Sequence, residues 1–252
     1  MATRSGLRDR CYGAAVAPTE PERFWDERAR ENAFFYVDDQ VDYGDPDTEA
    51  FWRRGDETLE KILSPLEQTV SPQDTVVDIG CGVGRMTRAL ASRAARVIAL
   101  DVSQEMLARA REYNAELENV EWIHGDGRTL APIGDGAVDG CFSHVVFQHL
   151  PDPEMTLGYV REMGRVLRPG GWAAFVVSTD PTIHRLSLLD RTRARWRAVT
   201  RRPVEARYHS AWLGSAVDPE ALRRAARDAK CDVERIVHPG TQFTLVLCRR
   251  QD

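Results

Sequence analysis

The run Asp78-Ile-Gly-Cys-Gly-Val-Gly-Arg85 sets Gly80, Gly82 and Gly84 between an apolar stretch and a helix-like one. Glycine turns sharply and lets backbone amides approach a ligand with no Cβ in the way. A helix starting behind such a loop aims free N–H groups and the positive end of its dipole at the same point, which suits a ligand carboxylate. The spacing is GxGxG, whereas the dinucleotide fingerprint is GxGxxG. Alone, the loop reads equally well as a tight strand–helix turn. Two carboxylates extend it. Asp101 closes the next apolar run, 23 residues after Asp78, where an acid can accept from both hydroxyls of a ribose. Its plainer use is as a surface acid or a cap at Val102-Ser103. Asp126, in His124-Gly-Asp-Gly127, can accept from an adenine amino group or close a turn. The three together describe a nucleoside site without choosing the cofactor, since an NAD enzyme places an acid similarly. His149, in Phe147-Gln-His-Leu150, is the best-placed general base because imidazole titrates near neutrality; its plainer use is to pin its loop by hydrogen bonding. His124, His184, His209 and His238 read as structural or exposed.

The elements that must hold these groups alternate. Residues 75–79, 96–100, 120–123, 138–146 and 172–178 read as strands. Residues 85–93, 104–116 and 155–167 read as helices. That order implies parallel pairing with right-handed crossovers. A helix over 218–230 follows, with Asp218 as N-cap and Pro219 at its first position. Two β-like runs at 232–237 and 242–248, around His238-Pro-Gly-Thr241, read as a hairpin. Pro169-Gly-Gly171 is a turn ahead of the fifth strand. Residues 1–19 are unpatterned and expected to be disordered. Residues 20–70 are expected to form a helical cap and 71–252 one α/β domain, interrupted by an insertion at 181–216. In the cap, Phe24, Trp25, Phe34, Phe35, Tyr36, Phe51 and Trp52 suit helix packing first and an acceptor pocket second.

Composition narrows the classes. Of the 252 residues, 42% are hydrophobic and 29% charged, enough apolar material for a sizeable core. No window is apolar enough to span a membrane and no signal peptide is visible, so a cytoplasmic location is expected. The five cysteines form no CxxC pair, which argues against a disulfide framework or a cysteine metal site; no metal is expected. Net charge is −5 overall, but residues 20–60 hold 14 acids and 5 arginines, whereas residues 181–210 hold 8 arginines and 2 acids. The acidic balance argues against a nucleic-acid binder. The arginine segment, with Arg193, Arg195 and Arg197, reads as a solvated helix face, a lid docking on the acidic cap, or a site for an anionic partner. The segment is expected to act as the lid.

The runs VVDIGCGVGRMTRAL, VIALDVSQEMLARAR, HGDG, VDGCFSHVVFQHLPDP and EMGRVLRPGGWAAF, in this order, resemble the class I S-adenosylmethionine (SAM)-dependent methyltransferases, most nearly the small-molecule branch. The resemblance covers residues 75–178 strongly and the C-terminal hairpin more weakly. It implies a Rossmann-like, seven-stranded α/β sheet whose last strand is antiparallel, and transfer of a methyl group from SAM to a small-molecule acceptor, leaving S-adenosylhomocysteine. It also implies that Asp78, Gly80, Cys81, Gly82 and Gly84 line the methionine and ribose side and that Asp101 holds the ribose. Val102 and Met106 would flank the adenine, with Asp126 and Gly127 at its edge. Ser143 and His144 would lie under the methionyl part, and Tyr36 and Arg54 would approach the cofactor from the cap. A non-catalytic SAM-binding protein and a nicotinamide-dependent oxidoreductase on a similar sheet are the competing readings.

Overall fold

The structure is a computed structural model, and it describes residues 19–184 and 213–252. Residues 1–18 and most of the insertion, including Arg193, Arg195 and Arg197, lie outside the described residues. Seven strands form one sheet: β1 Thr75–Ile79, β2 Arg96–Asp101, β3 Val120–His124, β4 Val138–Ser143, β5 Leu167–Val177, β6 Cys231–Val237 and β7 Thr244–Arg250. Their spatial order is β3-β2-β1-β4-β5-β7-β6. β1 to β5 pair in parallel, and β7 is antiparallel to both β5 and β6. The central strands read as unbroken apolar runs because both faces are covered.

On one face Val77, Ile98, Cys141 and Phe175 pack under α5 (Pro153–Val166) and α6 (Pro219–Asp228). On the other, Val76, Val97, Phe142 and Ala174 pack under α2 (Thr48–Leu63) and α3 (Arg85–Ala91). α4 (Gln104–Tyr113) joins that second face through Leu107 against Ala99 and Cys81. Each buried valine, leucine, isoleucine or phenylalanine among them contributes about 1.5–3 kcal/mol. Within the expected cap, α2 therefore serves as a sheet-flanking helix. Only α1 (Glu20–Val37) and the loop after it overlie the ends of the strands. A capping box between Thr19 and Glu22 starts α1, and the helix kinks where Asn32 leaves helical geometry (φ −163°, ψ 91°).

Two boundaries differ from expectation in ways that shape the site. β4 stops at Ser143 because Val145 takes a left-handed conformation (φ 56°) and the chain enters a 3₁₀ turn, Phe147–His149. A β-branched residue is strained there by about 1–3 kcal/mol. β5 starts at Leu167, which pairs with Val138, so Pro169-Gly-Gly171 is an irregularity inside the strand rather than a turn before it.

Candidate functional site

β1 has β2 on one side and β4 on the other, so the strand order reverses at its tip. In open α/β sheets such a point leaves a crevice at the carboxyl ends of the strands. A cavity of ≈ 360 Å³ lies there, between the tips of β1, β2 and β4 and the underside of α1. Tyr36, Asp78, Gly80, Cys81, Gly82, Asp101, Val102, Met106, Asp126, Gly127, His144 and His149 all line it. Arg54, Gly84 and Ser143 lie outside the lining. Arg54 turns to Asp38, its Nε donating to Oδ2 at 2.8 Å. Ser143 is fully buried and its Oγ donates to the Ile79 carbonyl at 3.0 Å, tying β4 to β1. Gly84 has φ 91°, and a Cβ there would sit 2.7 Å from the Trp122 ring and 2.8 Å from Asn114 Nδ2. Its glycine is demanded by packing against β3 and the end of α4.

The glycine loop is wired to β2. The Gly80 and Cys81 amides both donate to the Leu100 carbonyl, and Gly82 N–H donates to Asp101 Oδ2 at 2.8 Å. Asp101 Oδ1 accepts from Ser103 N–H at 2.8 Å. Burial pushes the Asp101 carboxyl above its ordinary value, with those two amides pulling the other way. Asp78 is more deeply enclosed, at 2% exposed. Burial raises its carboxyl to about 7 despite the Thr87 hydroxyl, which donates to Oδ2 at 2.6 Å. Burial and the two neighbouring carboxylates hold the Cys81 thiol neutral. Asp126 points both oxygens at its own loop: Oδ1 accepts from the Arg128 and Thr129 amides and Oδ2 from the Thr129 hydroxyl. Burial alone would raise its carboxyl; those hydrogen bonds outweigh it and hold the group low.

The two cavity histidines differ. Burial, reinforced by the Arg85 guanidinium, lowers the His144 imidazole to about 3, so it is neutral and weakly basic. His149 packs edge-on against Trp25 of α1, ring centroids 5.6 Å apart. α1 is fastened above the β2 tip. Asp26 Oδ1 accepts from Ser103 Oγ at 2.6 Å and from Glu105 N–H at 3.1 Å, and Glu22 approaches His124 at 3.4 Å.

Arg85, which ends the glycine motif, also lines the cavity, and no role was expected of it. Its signal was an arginine with an apolar helix behind it, where a charged residue would otherwise be exposed. Nor was a role expected of Val146, Met155 and Tyr159, which close the cavity on the β4 side.

This sheet order with one antiparallel strand, and a glycine loop facing an acid at the β2 tip, define the class I SAM-dependent methyltransferase fold. Residues 77–175 match the family described as methyltransferase domain. Trans-aconitate 2-methyltransferase of Azoarcus sp. is 43% identical over 116 residues, which are 44% of this chain and 43% of that protein. Malonyl-[acyl-carrier protein] O-methyltransferase of Pectobacterium atrosepticum is 38% identical over 112 residues, 44% and 42% of the two chains. The matched stretch thus spans less than half the length of these relatives. Among solved structures, geranyl diphosphate C-methyltransferase of Streptomyces coelicolor aligns over 94% of this chain and 100% of that one, with TM-score 0.61 and 17% identity. An N-methyltransferase of Bradyrhizobium japonicum aligns over 93% and 100%, with TM-score 0.59 and 18% identity. At these identities the likeness is one of fold.

Proposed function

We propose that this protein transfers a methyl group from SAM to a small-molecule acceptor by in-line displacement. The observation that carries the reading is the cavity at the strand-order reversal, with the half-buried Asp101 carboxylate hydrogen-bonded to the Gly82 amide at one wall. The two relatives above act on small acids or acyl groups, by their names, and both aligned structures are described in complex with S-adenosylhomocysteine, which supports the cofactor and the acceptor class.

The residues present fit an adenosyl amino acid. Asp101 is placed to accept from ribose hydroxyls, Val102 and Met106 offer apolar walls to a base, and the Arg85 side chain on the cavity wall offers positive charge to an anion. When bound, SAM supplies a methyl group already activated on a sulfonium. What remains for this chain is to hold acceptor and cofactor in line and to exclude water. α1 covers the cavity for the second task. His144, held neutral, adds no positive charge beside a cationic ligand. His149 takes the acceptor proton when the acceptor is a hydroxyl or a protonated amine; a carboxylate or thiolate acceptor needs no base.

Calorimetry with SAM, S-adenosylhomocysteine and NADH tests the cofactor: binding of NADH alone would overturn the reading. Incubation with methyl-labelled SAM and a metabolite extract, followed by mass spectrometry, tests the activity and separates it from mere SAM binding. With the acceptor in hand, His149→Gln should lower kcat by roughly 10²–10⁴-fold for a hydroxyl or amine. An unchanged kcat with such an acceptor would remove His149 from proton transfer.

A further inference from the structure

The turn that carries His149 is backed by residues 213–217. Gly214 takes a left-handed conformation (φ 59°) and lies directly against the turn. A Cβ there would sit 1.6 Å from the Gln148 carbonyl oxygen and 2.9 Å from His149 Cα. Ser215 Oγ donates to the Leu150 carbonyl at 2.7 Å, and Leu150 lines the cavity. This backing segment is in turn fastened to the end of β5. Val217 N–H donates to the Ser178 carbonyl at 2.8 Å. His184 completes the fastening with both ring nitrogens: Nδ1 meets the Leu213 carbonyl at 2.5 Å, and Nε2 meets the Ser178 hydroxyl at 2.7 Å. A carbonyl only accepts, so Nδ1 carries a proton, and in the neutral ring Nε2 accepts from Ser178. A serine on a histidine whose far nitrogen is oriented by a third group has the layout of an activated nucleophile. Ser178, however, is 1% exposed and outside the cavity lining, which puts its hydroxyl beyond a substrate's reach. The pair is a clasp.

We propose that His184 is a positioning residue for methyl transfer: it clasps residues 213–217 to the end of β5, and that segment sets where the His149 ring stands over the cavity. This rests on the reading of His149 as the base. The turn needs such a support. It follows Val145, whose left-handed backbone (φ 56°) persists only where the surroundings over-determine it. On its other side the His149 ring meets Trp25 edge-on. Displacing a catalytic group by about 1 Å costs up to about a hundredfold in rate.

Three variants of the full chain provide the test. His184→Leu removes both bonds, His184→Asn keeps an amide donor for the Leu213 carbonyl, and Ser215→Ala removes only the bond to Leu150. With the hydroxyl or amine acceptor recovered by methyl labelling, His184→Leu should lower kcat by roughly ten- to a hundredfold. KM and S-adenosylhomocysteine affinity should change less than about threefold, the pattern of an interaction that matters only in the transition state. His184→Asn should recover part of kcat. In a His149→Gln background, His184→Leu should add less than about twofold, because both changes act on one group. With no acceptor present, the His149 imidazole nitrogen resonances of the S-adenosylhomocysteine complex should move in His184→Leu. Ser215→Ala should give a smaller loss of kcat, and it decides the matter should His184→Leu fail to fold. An additive loss in the double variant, unmoved His149 resonances, or no loss of kcat in the variants that fold overturns the positioning role while the base reading stands. If His149→Gln alone leaves kcat unchanged, the base reading falls and takes the His184 role with it.

Discussion

Asp101 and Asp78 are the residues on which the proposed function and the fold meet. Asp101 accepts from two amides, Gly82 and Ser103. Asp101→Ala should therefore abolish measurable S-adenosylhomocysteine binding and also orphan two buried donors, at about 1–3 kcal/mol. Calorimetry and a melting curve on the same sample read both; retained affinity would refute the ribose role. Asp78 titrates at about 7 in the fold and at about 3.9 when unfolded. A raised carboxyl value means the folded state holds the proton across that window. Its contribution to stability is full below about pH 4 and is lost as pH rises through 7. A cationic cofactor has the opposite preference, because it favours the ionised carboxylate. SAM affinity should rise about tenfold from pH 6 to pH 8, and Asp78→Asn should flatten the profile. A profile that is already flat in the wild type would show that Asp78 does not sense the ligand. The glycines and Asp101 were legible in the sequence because a strand, its loop and the next strand tip are local in the chain. Arg85 was not, since its meaning depends on Asp38, 47 residues away.

At the level of elements, α1 is the wall of the site that a kink divides in two. Its first half is fastened to the α4 N-terminus by Asp26, and its second half is anchored where Phe34 stacks on Tyr113 and meets Phe51 edge-on. The Asn32 kink lies between the two halves. Asp26→Ala should cost about 1 kcal/mol and speed S-adenosylhomocysteine release several-fold, measured by stopped-flow displacement. An unchanged release rate would mean that α1 does not limit exit. The amphipathic pattern predicted both N-terminal helices, yet it could not say what they would face. α1 took the cavity and α2 took the sheet, because apolar spacing specifies that a face is buried and leaves the partner open. The same limit applies to Pro169-Gly-Gly171. Its residues announce a turn, and only pairing of Leu167 with Val138 shows that the strand has already begun.

For the molecule as a whole, alternation of strand and helix in the sequence was sufficient to fix a parallel sheet, and the C-terminal hairpin to supply an antiparallel pair. The order in which the strands lie was not legible, since periodicity carries no record of neighbours; the resemblance implied only seven strands with the last antiparallel. Among the described residues no helix is long and apolar enough to cross a membrane. Ligand binding to the folded state alone should raise stability by about 2.7 kcal/mol at a hundred times Kd, or about 5–11 °C in Tm for a domain of this size. Thermal denaturation with and without S-adenosylhomocysteine checks this; no shift would count against a preformed site.

β7 lies between β5 and β6, with Val246 fully buried on one face of the sheet and Leu247 2% exposed on the other. A nascent chain emerging from the ribosome thus displays β5 with an open edge until residues 244–250 have been made. Vectorial synthesis delivers a strand between two others after both have appeared, so β6 must wait unpaired for its only sheet neighbour. Ribosome stalling or proteolytic clipping just before Thr244 would leave two half-built cores and a sticky margin, and such fragments are natural clients for chaperones and degradation.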